Sequence, residues 1–63
     1  MTNDDLPAIG APARRALAGE GITRLDQLTV LTEAELARLH GVGPKAVGLL
    51  RRALLERGLS FRR

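Results

Sequence analysis

Two glycines flank a valine in the stretch Leu39-His40-Gly41-Val42-Gly43-Pro44-Lys45-Ala46, directly ahead of a long run with helical spacing. Glycine at 41 and 43 permits a positive φ or the close approach of a ligand, both of which a Cβ would obstruct. Val42 is apolar and is expected to turn inward and pin the loop. Pro44 suits the first turn of a helix, where its missing N–H has no bond to make. The N–H groups of Gly43, Lys45 and Ala46 then fall at or inside that first turn, where no carbonyl of the helix accepts from them. Unpaired amides at the positive end of a helix dipole make an anion site, and Lys45 adds a full positive charge beside it. The chemistry on offer is the binding of a phosphate-like anion, with no covalent bond made or broken.

At 100° per residue, Lys45, Gly48, Arg51 and Arg52 share one arc of the following helix, and Ala46, Val47, Leu50, Ala53 and Leu54 fill the opposite arc. A basic face therefore continues from the turn. Gly48 costs about 1 kcal/mol against alanine inside a helix; close approach of an anionic backbone explains it, and so does a tight helix crossing. The pattern has an echo 33 residues earlier, in Leu6-Pro7-Ala8-Ile9-Gly10-Ala11-Pro12-Ala13. There Leu6, Ile9, Gly10 and Ala13 stand in the places of Leu39, Val42, Gly43 and Ala46. Ala8 replaces the first glycine, and Pro12 removes an N–H where the second copy has Lys45. Residues 6–13 are thus the degenerate hairpin and 39–46 the intact one. Gly10 keeps the turn possible, Arg14 and Arg15 supply cations, and binding is expected to lean on residues 41–46.

Little else in the chain could react. His40 is the only histidine and there is no cysteine, which excludes thiolate metal sites and disulfides. Glu33 and Glu35 stand two residues apart and do not share a helix face; they read as a capping pair rather than an acid and a base. Ser60 has no base near it in the sequence. No cluster has metal-ligand spacing. Enzymatic activity and a cofactor are therefore not expected.

The elements that position the turn are helical. The 63 residues suffice for one domain, expected over 1–63 with an ordered core over 5–61. Leucine, alanine, arginine and glutamate dominate, and no stretch alternates with period two, so the fold class is all-α. Pro12 starts a helix through Glu20 that Gly19 and Gly21 stop. Thr23 is placed to cap a short helix over 24–30, with Asp26 as the third residue of a weak capping box. Thr32 and Glu35 form a better box, opening a helix expected to end at His40-Gly41. Pro44 opens the longest helix, through Arg57, and Gly58 closes it. Connections of two to five residues demand a tightly turned bundle. No segment has signal-peptide or membrane-span character.

Leucine, a turn, an apolar residue, glycine and then a helix resemble the helix-hairpin-helix motif, here over Glu33 to Leu55 with 39–46 as the hairpin. From Asp5 to Phe61 the chain also resembles the C-terminal domain of the bacterial RNA polymerase α subunit. The shared features are a helix followed by Gly21-Ile22, then Leu25-Asp26-Gln27-Leu28, Thr32-Glu33-Ala34-Glu35-Leu36, the Gly43–Lys45 turn and the closing Arg57-Gly58-Leu59-Ser60. This resemblance implies a compact four- to five-helix bundle of tandem helix-hairpin-helix (SAM-like) type. It implies binding to the minor groove of A·T-rich DNA through two hairpin regions, and contacts with activators and polymerase subunits. It sets Gly43, Lys45 and Ala46 on a phosphate-contacting turn and Arg15 on a minor-groove contact. The family's principal minor-groove arginine falls at Pro12 or a neighbour, so the fold carries over more fully than the A·T preference. No α-subunit N-terminal domain or long linker accompanies the motif, and a free-standing relative is expected.

The net charge is +3, with Asp4 and Asp5 at the front and Lys45, Arg51, Arg52, Arg57, Arg62 and Arg63 crowding the last third. That polarity suits a polyanion, although arginine-rich solvated helices are also ordinary in high-GC bacterial proteins. The expected function is non-catalytic binding of the double-stranded DNA backbone with little sequence preference. The expected interface is Gly41, Val42, Gly43, Lys45, Ala46, Gly48, Arg51 and Arg52, assisted by Gly10, Arg14 and Arg15. Phe61 is the single aromatic residue; it offers no stacking platform for single strands and is expected to fold back onto the core. The competing expectation is a protein-interaction module for RNA polymerase or a DNA-repair partner. A cytoplasmic, nucleoid-associated monomer fits either function.

Overall fold

A computed structural model describes residues 6–63; Asp4 and Asp5, the acidic front of the chain, and the first residue of the expected core lie outside the described residues. The elements are helix α1 (Ala11–Gly19), a 3-10 helix (Leu25–Val30), helix α2 (Glu33–Ala37) and helix α3 (Pro44–Glu56). Among the described residues no strand forms; the one strand-like pairing is an isolated bridge between Thr32 and Arg62. The fold is all-α. Its radius of gyration, 10.4 Å, matches the value of about 10 Å for a tightly folded chain of this length. No helix of the described residues is long and apolar enough to cross a membrane.

Both longer helices begin and end alike. Each takes a glycine as N-cap, Gly10 for α1 and Gly43 for α3, followed by a proline in the first turn. Each ends in a glycine with left-handed φ, +76° at Gly21 and +72° at Gly58. Gly21 N–H donates to Ala18 O and Ile22 N–H to Leu17 O, and the same pair of bonds joins Gly58 to Leu55 and Leu59 to Leu54. This is the Schellman arrangement, which satisfies terminal carbonyls and turns an apolar residue back onto the helix. The internal repeat of the sequence is therefore a repeat of helix starts and stops. The helices differ in length by one turn, nine residues against thirteen.

The middle of the chain departs from expectation in two places. Residues 25–30 form a 3-10 helix, and Thr23 does not cap it through Asp26. Instead the Gln27 side-chain oxygen reaches back to accept from the N–H of Thr23 at 2.7 Å and of Arg24 at 2.9 Å. The cause lies in an apolar spacing of three: Ile22, Leu25 and Leu28 are buried and Leu31 is partly so. Three residues per turn aligns such a row on one face. The second departure is α2, which stops at Ala37 rather than at His40. Its last bonds tighten to three-residue steps, Arg38 N–H to Glu35 O and Leu39 N–H to Leu36 O. The chain then reverses so that Leu36 and Val42 both reach the core.

The capping box is as expected: Glu35 N–H donates to the Thr32 hydroxyl at 3.0 Å, and Thr32 N–H donates to the Glu35 carboxylate at 2.8 Å. Leu17, Leu28, Leu36, Leu50 and Leu54 are fully buried, so every element contributes to one core. Each such leucine contributes on the order of 2 kcal/mol of transfer free energy. Phe61 folds back and is buried, as expected. The tail that carries it is held by Arg62, whose N–H donates to Leu31 O at 2.8 Å.

Candidate functional site

Gly43 caps α3 in an extended conformation, with φ −96° and ψ 177°. The first carbonyl bond into the helix comes from Val47 N–H to Gly43 O at 3.0 Å. Ahead of it, the N–H groups of Gly43, Lys45 and Ala46 have no backbone acceptor among the described residues. Gly43 and Lys45 are exposed, while the Ala46 methyl is buried and so fixes the first turn against the core. Val42 is buried, as its apolar side chain requires, and it can reach a ligand only through its backbone.

The turn is completed by Gly41, whose φ of +95° is a left-handed value that L side chains rarely adopt. The degenerate hairpin solves the same turn differently. Ala8 occupies the position equivalent to Gly41 and has no positive φ; the left-handed residue there is Gly10, at +92°. Ile9 N–H donates across a three-residue turn to Pro7 O, whereas Val42 N–H donates across a four-residue turn to Leu39 O. The two hairpins are related in sequence without sharing a backbone path.

Folding sets these hairpins against one another. Gly41 packs on the backbone of Pro12, in the first turn of α1. A cleft of about 330 Å³ opens beside this contact, with Ala8, Ile9 and Gly10 on one hairpin and Gly41, Gly43 and Lys45 on the other. Ala46 and Leu49 complete it. Leu49 lines the cleft beside Lys45 although it is not among the expected contact residues; its helical angle, 40° from Lys45, is the signal that places it there.

The basic residues divide. Lys45 and Arg15 are exposed and have no ion-pair or hydrogen-bond partner among the described residues. Arg52 is exposed and lies 3.9 Å from Glu56 within its own helix. Arg14 is half-buried. Arg51 is engaged elsewhere: its Nε donates to Glu33 Oε1 at 3.0 Å and its Nη2 to Glu33 Oε2 at 2.7 Å. It lines a second groove of about 310 Å³, between α2 and α3, and not the cleft that holds Lys45. The hydrogen bond to Arg51 holds the Glu33 carboxyl below the usual carboxylate range, and the same bond raises the Arg51 guanidinium. Glu35 is lowered first by the Thr32 backbone N–H and then by Arg62.

Gly48 is half-buried, and a Cβ there would meet no atom within 4 Å outside its own helix backbone. Among the described residues, a tight helix crossing is therefore not its reason. Read from their shared C-terminal ends, α1 and α3 align Arg14 with Arg51 and Arg15 with Arg52. The extra turn of α3 carries its arginine pair about 6 Å further from the hairpin than the pair of α1. Among the described residues no three potential metal ligands gather. No family model, curated protein or solved structure gives a significant match to the chain.

Proposed function

We propose that this chain is a non-catalytic DNA-binding module of tandem helix-hairpin-helix type, which grips the duplex backbone in the minor groove with little sequence preference. The observation that carries the reading is the cleft between the hairpins, where the unpaired first-turn amides of α3 stand beside an unpartnered lysine. Amides at a helix start bind phosphate, and Lys45 supplies the counter-charge. Amides and a lysine position a backbone; they do not read base edges, which is why little sequence preference is assigned. The resemblance of Gly41–Ala46 to the helix-hairpin-helix turn, and of the longer chain to the polymerase α C-terminal domain, supports the minor groove as the place of contact. Arg15 and Arg52 add exposed positive charge on α1 and α3, and Gly10 and Gly48 carry no side chain to obstruct a backbone.

Titration of a labelled duplex at several salt concentrations tests this. Two to three phosphate contacts should give a log–log slope of about −2 to −3, and affinity at physiological salt should be weak because the footprint is small. Lys45→Glu should weaken binding to every duplex alike. Absence of binding by the unmodified chain at low salt would remove the reading.

A second reading, a protein-interaction module for a DNA-processing partner such as RNA polymerase, is favoured by one observation. Leu55, on the outer arc of α3, and Val30 are each 65 % exposed. Under that reading Leu55→Ser abolishes capture of the partner and leaves duplex binding intact.

A further inference from the structure

We infer that Arg51 is not a phosphate ligand but a positioning residue, which with Glu33 locks α2 onto α3 and so holds the hairpin in its binding geometry. The inference rests on the DNA-binding reading above. It starts from how little else fixes α2. That helix has five residues and one buried side chain, Leu36, far short of the length at which a helix stands alone. The connecting turn, residues 38–43, hangs from its end. Two arginine–glutamate contacts steady it, Arg51 with Glu33 from α3 and Arg62 with Glu35 from the C-terminal tail at 3.3 Å.

The Arg51 contact is the one that spans the hairpin. It joins residues 18 apart, one on the first turn of α2 and one on the third turn of α3, through two parallel N–H···O bonds. A bidentate fork fixes orientation as well as distance. The pair lines the groove whose other walls include Val42, Gly43 and Pro44. It therefore meets the turn in a different groove from the one that Lys45 lines. A guanidinium already committed to a carboxylate has its charge neutralised and its fork occupied, whereas Lys45 has neither.

The test turns on the sign of one substitution. If Arg51 were a phosphate ligand, Glu33→Gln would release it, remove a negative charge and tighten DNA binding. As a positioning contact, its loss loosens the hairpin, so Glu33→Gln and Arg51→Gln should each weaken duplex binding by about threefold. The salt slope should stay unchanged in both, whereas loss of a phosphate contact lowers it by about 0.9. The exchanged variant, Glu33→Arg with Arg51→Glu, keeps the net charge and should recover affinity to within about twofold. Tighter binding by Glu33→Gln overturns the assignment, as does a folded exchanged variant that fails to recover. Should the exchanged variant lose its helical circular dichroism, the sign of the Glu33→Gln effect decides alone. No duplex binding by the unmodified chain would instead overturn the DNA reading and this assignment with it.

Discussion

The backbone of Pro12 lies directly against Gly41: a Cβ on residue 41 would stand 2.8 Å from the Pro12 carbonyl oxygen and 3.1 Å from its carbonyl carbon. The glycine of the intact hairpin is thus required by the first turn of α1, and the two halves of the repeat are locked through backbone.

Gly41→Ala combines this clash with a left-handed φ of +95°. It should destabilise the fold by about 2 kcal/mol, lowering the thermal midpoint by roughly 10 °C. Thermal unfolding followed by circular dichroism checks this, and an unchanged midpoint would show that the contact relaxes without cost.

Gly43→Ala is expected to separate folding from binding. Residue 43 has an extended φ, and its Cβ would meet nothing within 4 Å. The weaker N-cap should cost less than about 1 kcal/mol, whereas a methyl group beside the unpaired amides should reduce duplex affinity severalfold. Wild-type affinity in this variant would take the first turn of α3 out of the interface.

Gly48→Ala should move stability and binding in opposite directions. Helix propensity predicts a gain of about 1 kcal/mol, visible as a raised urea midpoint, since no neighbour obstructs the methyl. Duplex affinity should fall, because the added methyl stands on the face proposed to approach the phosphates. A variant that is both more stable and equally tight in binding would leave Gly48 without a functional reason.

Acid should loosen α2 before the core. Glu33 and Glu35 have carboxyl groups held below the ordinary value of 4.5 in the folded chain, chiefly by Arg51 and by the Thr32 N–H respectively. The unfolded chain therefore binds more protons as pH falls through this range, and stability falls with it. The contribution is complete above the unfolded value and is lost as pH drops through the lower folded values. Both groups are exposed, so the effect is small, and it is read as a decline in urea midpoint below about pH 4.5. Glu33→Gln together with Glu35→Gln should flatten that decline.

Much of the fold was written in short segments. The proline-started helices, the Thr32–Glu35 box, the glycine stops and the inward Val42 and Phe61 depend on residues within a turn or on simple hydrophobicity, and all appear as expected. The threefold spacing of Ile22, Leu25, Leu28 and Leu31 also carried the 3-10 helix, although the local cap residues argued for a different start. Tertiary structure decided the rest. Gly41 and Gly43 look interchangeable in sequence, yet only Gly41 takes a left-handed φ and meets Pro12, because a contact between residues 29 apart in the chain sets that requirement. Lys45 and Arg51 look alike on a helical wheel, yet Arg51 meets Glu33 and Lys45 stays open, because the placement of α2 beside α3 determines which cation finds a carboxylate. Local chemistry is set by neighbours along the chain; which charges remain free for a ligand is set by the neighbours that folding brings.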